Sequence, residues 1–187
     1  MSAPSDTPPP PLLGDAAEGT FALRTLGPPA LERLGASGRW QAVLPPGKPF
    51  ALLVYLALAP RRTASRAKLV DLLWANAETD RARQTLRQTL SQLRDLLGAE
   101  RLATNGDDVS LAVDVRVDAT EFMRAVREGR IAEGLALYGR PFLHDFTVPG
   151  GDDFDEWAML ERQRLQGACR FALEAEARTR LDRKSVV

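Results

Sequence analysis

The chain has 187 residues, 44% of them apolar, with 25 basic and 25 acidic side chains that cancel. That length holds one large domain or two small ones, and the single cysteine, Cys169, excludes an intrachain disulfide. No apolar run reaches the roughly 18 residues that a membrane span needs. Prolines occupy the N-terminal stretch where a signal peptide would have its apolar core. A soluble, cytoplasmic protein is expected.

The zero net charge hides an asymmetry. Residues 39–101 hold 11 Lys/Arg against 5 Asp/Glu, a net of +6, whereas 102–161 hold 5 against 13, a net of −8. Opposite charge in successive regions predicts two surfaces with different partners.

Residues 1–19 are rich in Pro, Ser, Asp and Ala, including a proline run at 8–11. They read as a disordered leader. Short strands are expected at 21–26, 30–34 and 40–44, punctuated by Gly27-Pro28-Pro29 and Pro45-Pro46-Gly47. Residues 49–59 are apolar nearly all round and predict a buried helix, stopped by Pro60. Ser65 is a good N-cap for a second helix over 66–75. A third helix is expected over 80–97, ended by Gly98. Val109, Leu111 and Val113 alternate with smaller residues, and Asn105-Gly106 before them signals a hairpin whose tip these two residues form. Strands, three helices and a hairpin make the layout of a winged helix-turn-helix over 20–115. Beyond it, helices are expected at 119–128, 131–138 and 152–181. Paired short helices suggest an all-α, tetratricopeptide-like domain over 116–181, incomplete at three helices, with an irregular tail at 182–187.

The third helix carries the chemistry. With Leu86 at zero and about 100° per residue, Ala82, Leu90, Leu93 and Leu97 fall within about 40° and form a core stripe. Arg83, Arg94 and Arg87 fall at roughly 60–100°, beside that stripe, and Ser91, Gln84 and Gln88 at roughly 140–200°. A scaffold-packed face next to an arginine- and glutamine-rich face suits a DNA major groove. Arg pairs bidentately with guanine and Gln with adenine, while Ser and further arginines hold phosphates. Arg61, Arg62, Thr63, Ser65, Arg66 and Lys68 cluster at the start of the second helix. A helix N-terminus attracts phosphate, so they are expected to contact the DNA backbone.

These residues resemble the Streptomyces antibiotic regulatory protein family, whose DNA-binding half is an OmpR/PhoB-type winged helix. Leu53-Val54-Tyr55-Leu56-Ala57-Leu58, Ser65-Arg66 and Leu72-Leu73-Trp74 are similar to its first two helices. Ala82-Arg83, Leu86-Arg87-Gln88 and Leu90-Ser91-Gln92-Leu93-Arg94 are similar to its recognition helix. Phe122, Ala136-Leu137-Tyr138, Phe142-Leu143, Phe154-Asp155-Glu156-Trp157, Glu161-Arg162 and Arg164-Leu165 resemble the bacterial transcriptional activator domain beside it. The resemblance covers about 21–177. It implies a regulator that binds double-stranded DNA at promoter direct repeats and contacts RNA polymerase; an activator, as a homodimer on the DNA, is expected. One departure concerns the wing, where Asp107 and Asp108 would repel a phosphate backbone.

Other sites weigh less. Gly150-Gly151-Asp152-Asp153-Phe154 looks like a diguanylate cyclase signature, but too little chain follows for a catalytic domain; capping and helix-dipole roles are the plainer reading. Those acids point in different directions on a helix and lack calcium-loop spacing. His144 is the sole histidine, so no zinc set or histidine-assisted triad can be assembled. Neither enzyme, metal nor cofactor is expected. Trp74 and Trp157 are assigned to cores. The rival reading is a protein–protein adaptor whose winged helix is only a scaffold.

Overall fold

A computed structural model describes residues 16–185. The expected leader lies outside them as far as residue 15; Gly19 already donates to the Leu34 carbonyl at 2.9 Å and Thr20 to Ala17. Strands β1 (Phe21–Arg24), β2 (Ala30–Leu34) and β3 (Trp40–Leu44) form an antiparallel meander. Helix α1 (Lys48–Leu58) follows. Its buried residues run from Phe50 to Val54 and continue at Leu56 and Ala57, as its apolar circumference demands.

A 3-10 turn (Pro60–Arg62) and β4 (Thr63–Ser65) lead into α2 (Arg66–Trp74), whose N-cap Ser65 accepts from the Lys68 N–H at 3.2 Å. Helix α3 (Thr79–Leu97) ends at Gly98, whose φ of 95° suits glycine. Strands β5 (Leu102–Asn105) and β6 (Asp108–Leu111) pair with each other, and β6 with β4, in the order β4-β6-β5. This three-stranded sheet is the wing.

Asn105 pairs with Asp108, so the hairpin tip is Gly106-Asp107 rather than the expected Asn105-Gly106. Burial sets that register: Leu102 faces Leu111, both covered, and a one-residue slip would turn them to solvent. Gly106, with φ 60°, takes the first turn position, where a two-residue hairpin turn needs glycine. Val113 lies past the end of β6 and is 85% exposed, so the strand ends two residues earlier than expected.

Strand β7 (Arg116–Val117) returns to the first sheet and pairs parallel with β1, giving the order β3-β2-β1-β7. Helices α4 (Asp118–Arg127), α5 (Ile131–Leu137) and α6 (Asp152–Ser185) complete the chain. Helix α6 runs through Ser185, which corrects the expectation of an irregular tail from 182. Arginine and lysine are good helix formers, and nothing in Asp182-Arg183-Lys184-Ser185 stops a helix.

The helical half is not a separate body. One continuous core joins Leu23, Phe50, Leu69 and Leu86 to Phe122, Phe142, Phe154 and Leu165. Each such buried Leu or Phe contributes on the order of 1.5–3 kcal/mol. Phe146 stands edge-on to Phe50 of α1 at 5.5 Å, and Trp157 of α6 to Tyr55 of α1 at 5.0 Å. Trp74 is buried and Trp157 half-buried against this core.

Two polar devices lock the halves together. Asp118 is buried at the junction. Its carboxylate accepts from the Thr25 N–H and hydroxyl, the Leu26 N–H at 2.9 Å and the Ala119 N–H at 2.8 Å. Burial pushes its pKa up, opposed by those hydrogen bonds. Downstream, Arg140 donates to the Leu26 carbonyl and Leu143 to that of Thr25, each at 2.8 Å. Arg162 of α6 then donates to the carbonyls of Phe142 (2.7 Å) and Leu143 (2.9 Å).

The Gly150-Gly151 motif has a structural explanation. A Cβ on Gly151 would sit 2.8 Å from a Val148 methyl, and Gly150 has φ 68°. Asp155 holds the Val148 N–H at 3.1 Å.

Candidate nucleic-acid interface

Helices α2 and α3, joined by residues 75–78, form the helix-turn-helix, with the wing beside them. Period 3.6 decides which side of α3 is free. Ala82, Leu86, Leu90, Leu93 and Leu97 are each about 1% exposed, as the stripe predicts. Thr89, not in that stripe, is buried too. Arg83, Gln84, Arg87, Gln88 and Ser91 are all exposed. Arg81 joins this surface; its helical position, about 20° from Gln88, could have revealed it.

The outward arginines are almost free of partners. Arg83 has one loose contact, 4.0 Å from Asp80, and both side chains are largely in solvent. Arg87 has no ion pair or side-chain hydrogen bond among the described residues. Guanidiniums left unpaired on a helix face have their donors available for a ligand.

Glu78 caps α3. Its carboxylate accepts from the N–H groups of Asp80 (3.2 Å) and Arg81 (3.1 Å), which hold its pKa below the ordinary value.

Three of the expected contact residues are used elsewhere. Arg94 shares the arginine stripe by angle, yet its guanidinium donates to the Leu102 carbonyl at 3.0 Å and to the Thr104 hydroxyl. It ties α3 to wing strand β5 and is not a free base reader. Arg62 is half-buried and donates to the carbonyls of Ala112 (2.7 Å) and Val115 (2.8 Å). Burial lowers its pKa, countered by Asp114 and Glu121. Thr63 belongs to β4, and its hydroxyl bonds Ser110 across the sheet at 2.9 Å. Arg62 and Thr63 therefore build the wing instead of holding phosphate.

Arg61 is exposed. It and Arg62 both have φ near +54° (54° and 53°), a left-handed conformation that non-glycine residues rarely hold. The two carbonyl bonds of Arg62 and its own N–H, bonded to Ala59 at 2.9 Å, keep the turn closed.

At the start of α2 the backbone is already partnered. The Arg66 N–H donates to the Asp107 carbonyl at 2.8 Å and the Lys68 N–H to Ser65. The anion-attracting N–H groups expected there are thus largely satisfied by the wing tip and the cap; the Lys68 side chain is exposed and that of Arg66 half-buried. Asn105, Gly106, Asp107 and Asp108 are exposed at the tip.

No helix among the described residues is long and apolar enough to cross a membrane. No match to a curated protein was found. Residues 41–106, from β3 through the first residue of the wing turn, match the family described as transcriptional regulatory protein, C terminal, which indicates a winged-helix DNA-binding transcriptional regulator.

Proposed function

We propose that this protein is a sequence-specific transcriptional activator that inserts α3 into the major groove of duplex DNA. Arg83, Gln84, Arg87, Gln88 and Ser91 read bases, and Arg61, Arg66 and Lys68 contact phosphates. The observation that carries the reading is the outward face of α3: exposed, rich in Arg and Gln, and nearly without internal partners. The acidic helical half serves protein contacts, with RNA polymerase as the partner that the resemblance to activator domains suggests. Two copies bound to adjacent direct repeats fit the same resemblance.

The test is affinity for a 30-base-pair duplex as a function of salt. Binding should fall steeply, with a log–log slope of about −0.9 per phosphate contact. Arg87→Ala should then cost about 1–3 kcal/mol and relax the sequence preference.

A second reading, an adaptor whose winged helix binds no DNA, is favoured by one observation. Asp107 and Asp108 are exposed at the wing tip, where they would repel phosphate. Absence of duplex binding even at low salt would replace the activator reading with this one.

A further inference from the structure

Between α2 and α3 lies a groove of about 510 Å³. Its size falls within the roughly 300–1,000 Å³ of small-molecule sites. Its apolar part is made by Ala67, Val70 and Ala75, with the nearly covered Trp74 of α2 and Leu86 of α3 beneath them. Its cations are Arg66, Arg83 and Arg87. Among the described residues the side chains of Arg66 and Arg87 make no ion pair, and Arg83 has only the loose contact with Asp80. An apolar cleft beside unneutralised guanidiniums complements a flat organic anion, because Arg both binds carboxylate bidentately and stacks on aromatic faces.

Asp71 and Asp107 also line the groove. With Asp80 beside Arg83 and Lys48 over the Trp74 ring at 5.4 Å, four cations face three carboxylates, and the excess of one positive charge favours a monoanion over a phosphate dianion. The two lining carboxylates in addition offer acceptors to a hydroxyl on the ligand.

We propose that this groove binds an aromatic monocarboxylate carrying a hydroxyl group, and that such a ligand and duplex DNA exclude one another. The second clause rests on the DNA-binding reading, since Arg83 and Arg87 serve both surfaces. A ligand that engages them removes base-facing donors, so the small molecule would act as a release signal.

The probe is 6-hydroxy-2-naphthoate, titrated against the full chain by its own fluorescence, without DNA. Saturable binding at one site per chain is expected. Ala67→Phe, a change at an exposed lining position, should fill the groove and abolish it. Arg83→Gln with Arg87→Gln should weaken it at least tenfold, and neutral 2-naphthol should bind at least tenfold more weakly than the acid. No saturable binding, or binding that these variants leave unchanged with circular dichroism intact, would overturn the site. In competition, saturating probe should raise the apparent Kd for a duplex at least tenfold; an unchanged Kd would overturn the mutual exclusion. If the duplex does not bind even without probe, the DNA reading fails, while the direct titration still decides the groove.

Discussion

The arginines of this protein meet two different fates. On the outward face of α3, Arg83 and Arg87 project into solvent with almost nothing to hold them. Arg62 in the 3-10 turn, Arg94 near the end of α3 and Arg162 in α6 instead donate to main-chain carbonyls and are half-buried. The side chain is the same, and only its neighbours decide whether it fastens the fold or waits for a ligand. On the proposed reading, stability and recognition thus fall on separate residues, although Arg94 lies only about two turns beyond Arg87 on the same helix.

The separation can be tested from its strongest side first. Asp118→Ala should cost about 3–5 kcal/mol in urea unfolding, because it strands the buried donors of Thr25 and Leu26. Arg62→Ala should cost about 2–3 kcal/mol, leaving two carbonyls unpaired and a strained turn unsupported, with DNA affinity per folded molecule unchanged. A loss of affinity at unchanged stability would return Arg62 to the interface. Arg87→Ala should do the reverse: stability within about 0.5 kcal/mol of the parent and a loss of about 1–3 kcal/mol in duplex binding. Arg94→Lys should cost about 1 kcal/mol of stability, since one ammonium cannot reproduce the fork to Leu102 and Thr104.

The smallest effect concerns Glu78. Its folded pKa is lowered, so its charged cap contributes stability above its unfolded value and loses it as pH falls through the folded one. Wild type should unfold at higher urea than Glu78→Gln at pH 7, and the two should converge only once pH has fallen below the ordinary glutamate range. A gap that persists in acid would mean that the carboxylate charge is not what caps α3.

What could be read from the sequence follows the range of the interactions involved. The core stripe of α3 was legible because helical periodicity is local, and the Ser65 cap because it acts over three residues. Arg94 was misread because angle alone places it with Arg83 and Arg87; the difference is a wing strand that folds back onto it. Arg62 has partners 50 and 53 residues away, and Asp118 holds donors 92 and 93 residues away. No local pattern announces such pairings. The hairpin was found but placed one residue early, since Asn-Gly marks a turn without fixing its register, which the burial of Leu102 and Leu111 determines.

The unbroken core between the two halves has a mechanical consequence. With no flexible linker between them, α3 and α6 point in a fixed relative direction, like two arms of one bracket. Helix α6, at 34 residues, is roughly 50 Å long, so a small rotation of α3 on DNA swings its far end through a large arc. Two copies on repeats one helical turn apart, about 10.5 base pairs, would hold their α6 arms on the same side of the duplex. Inserting about half a turn would throw one arm to the opposite side while leaving each copy's own DNA contacts intact.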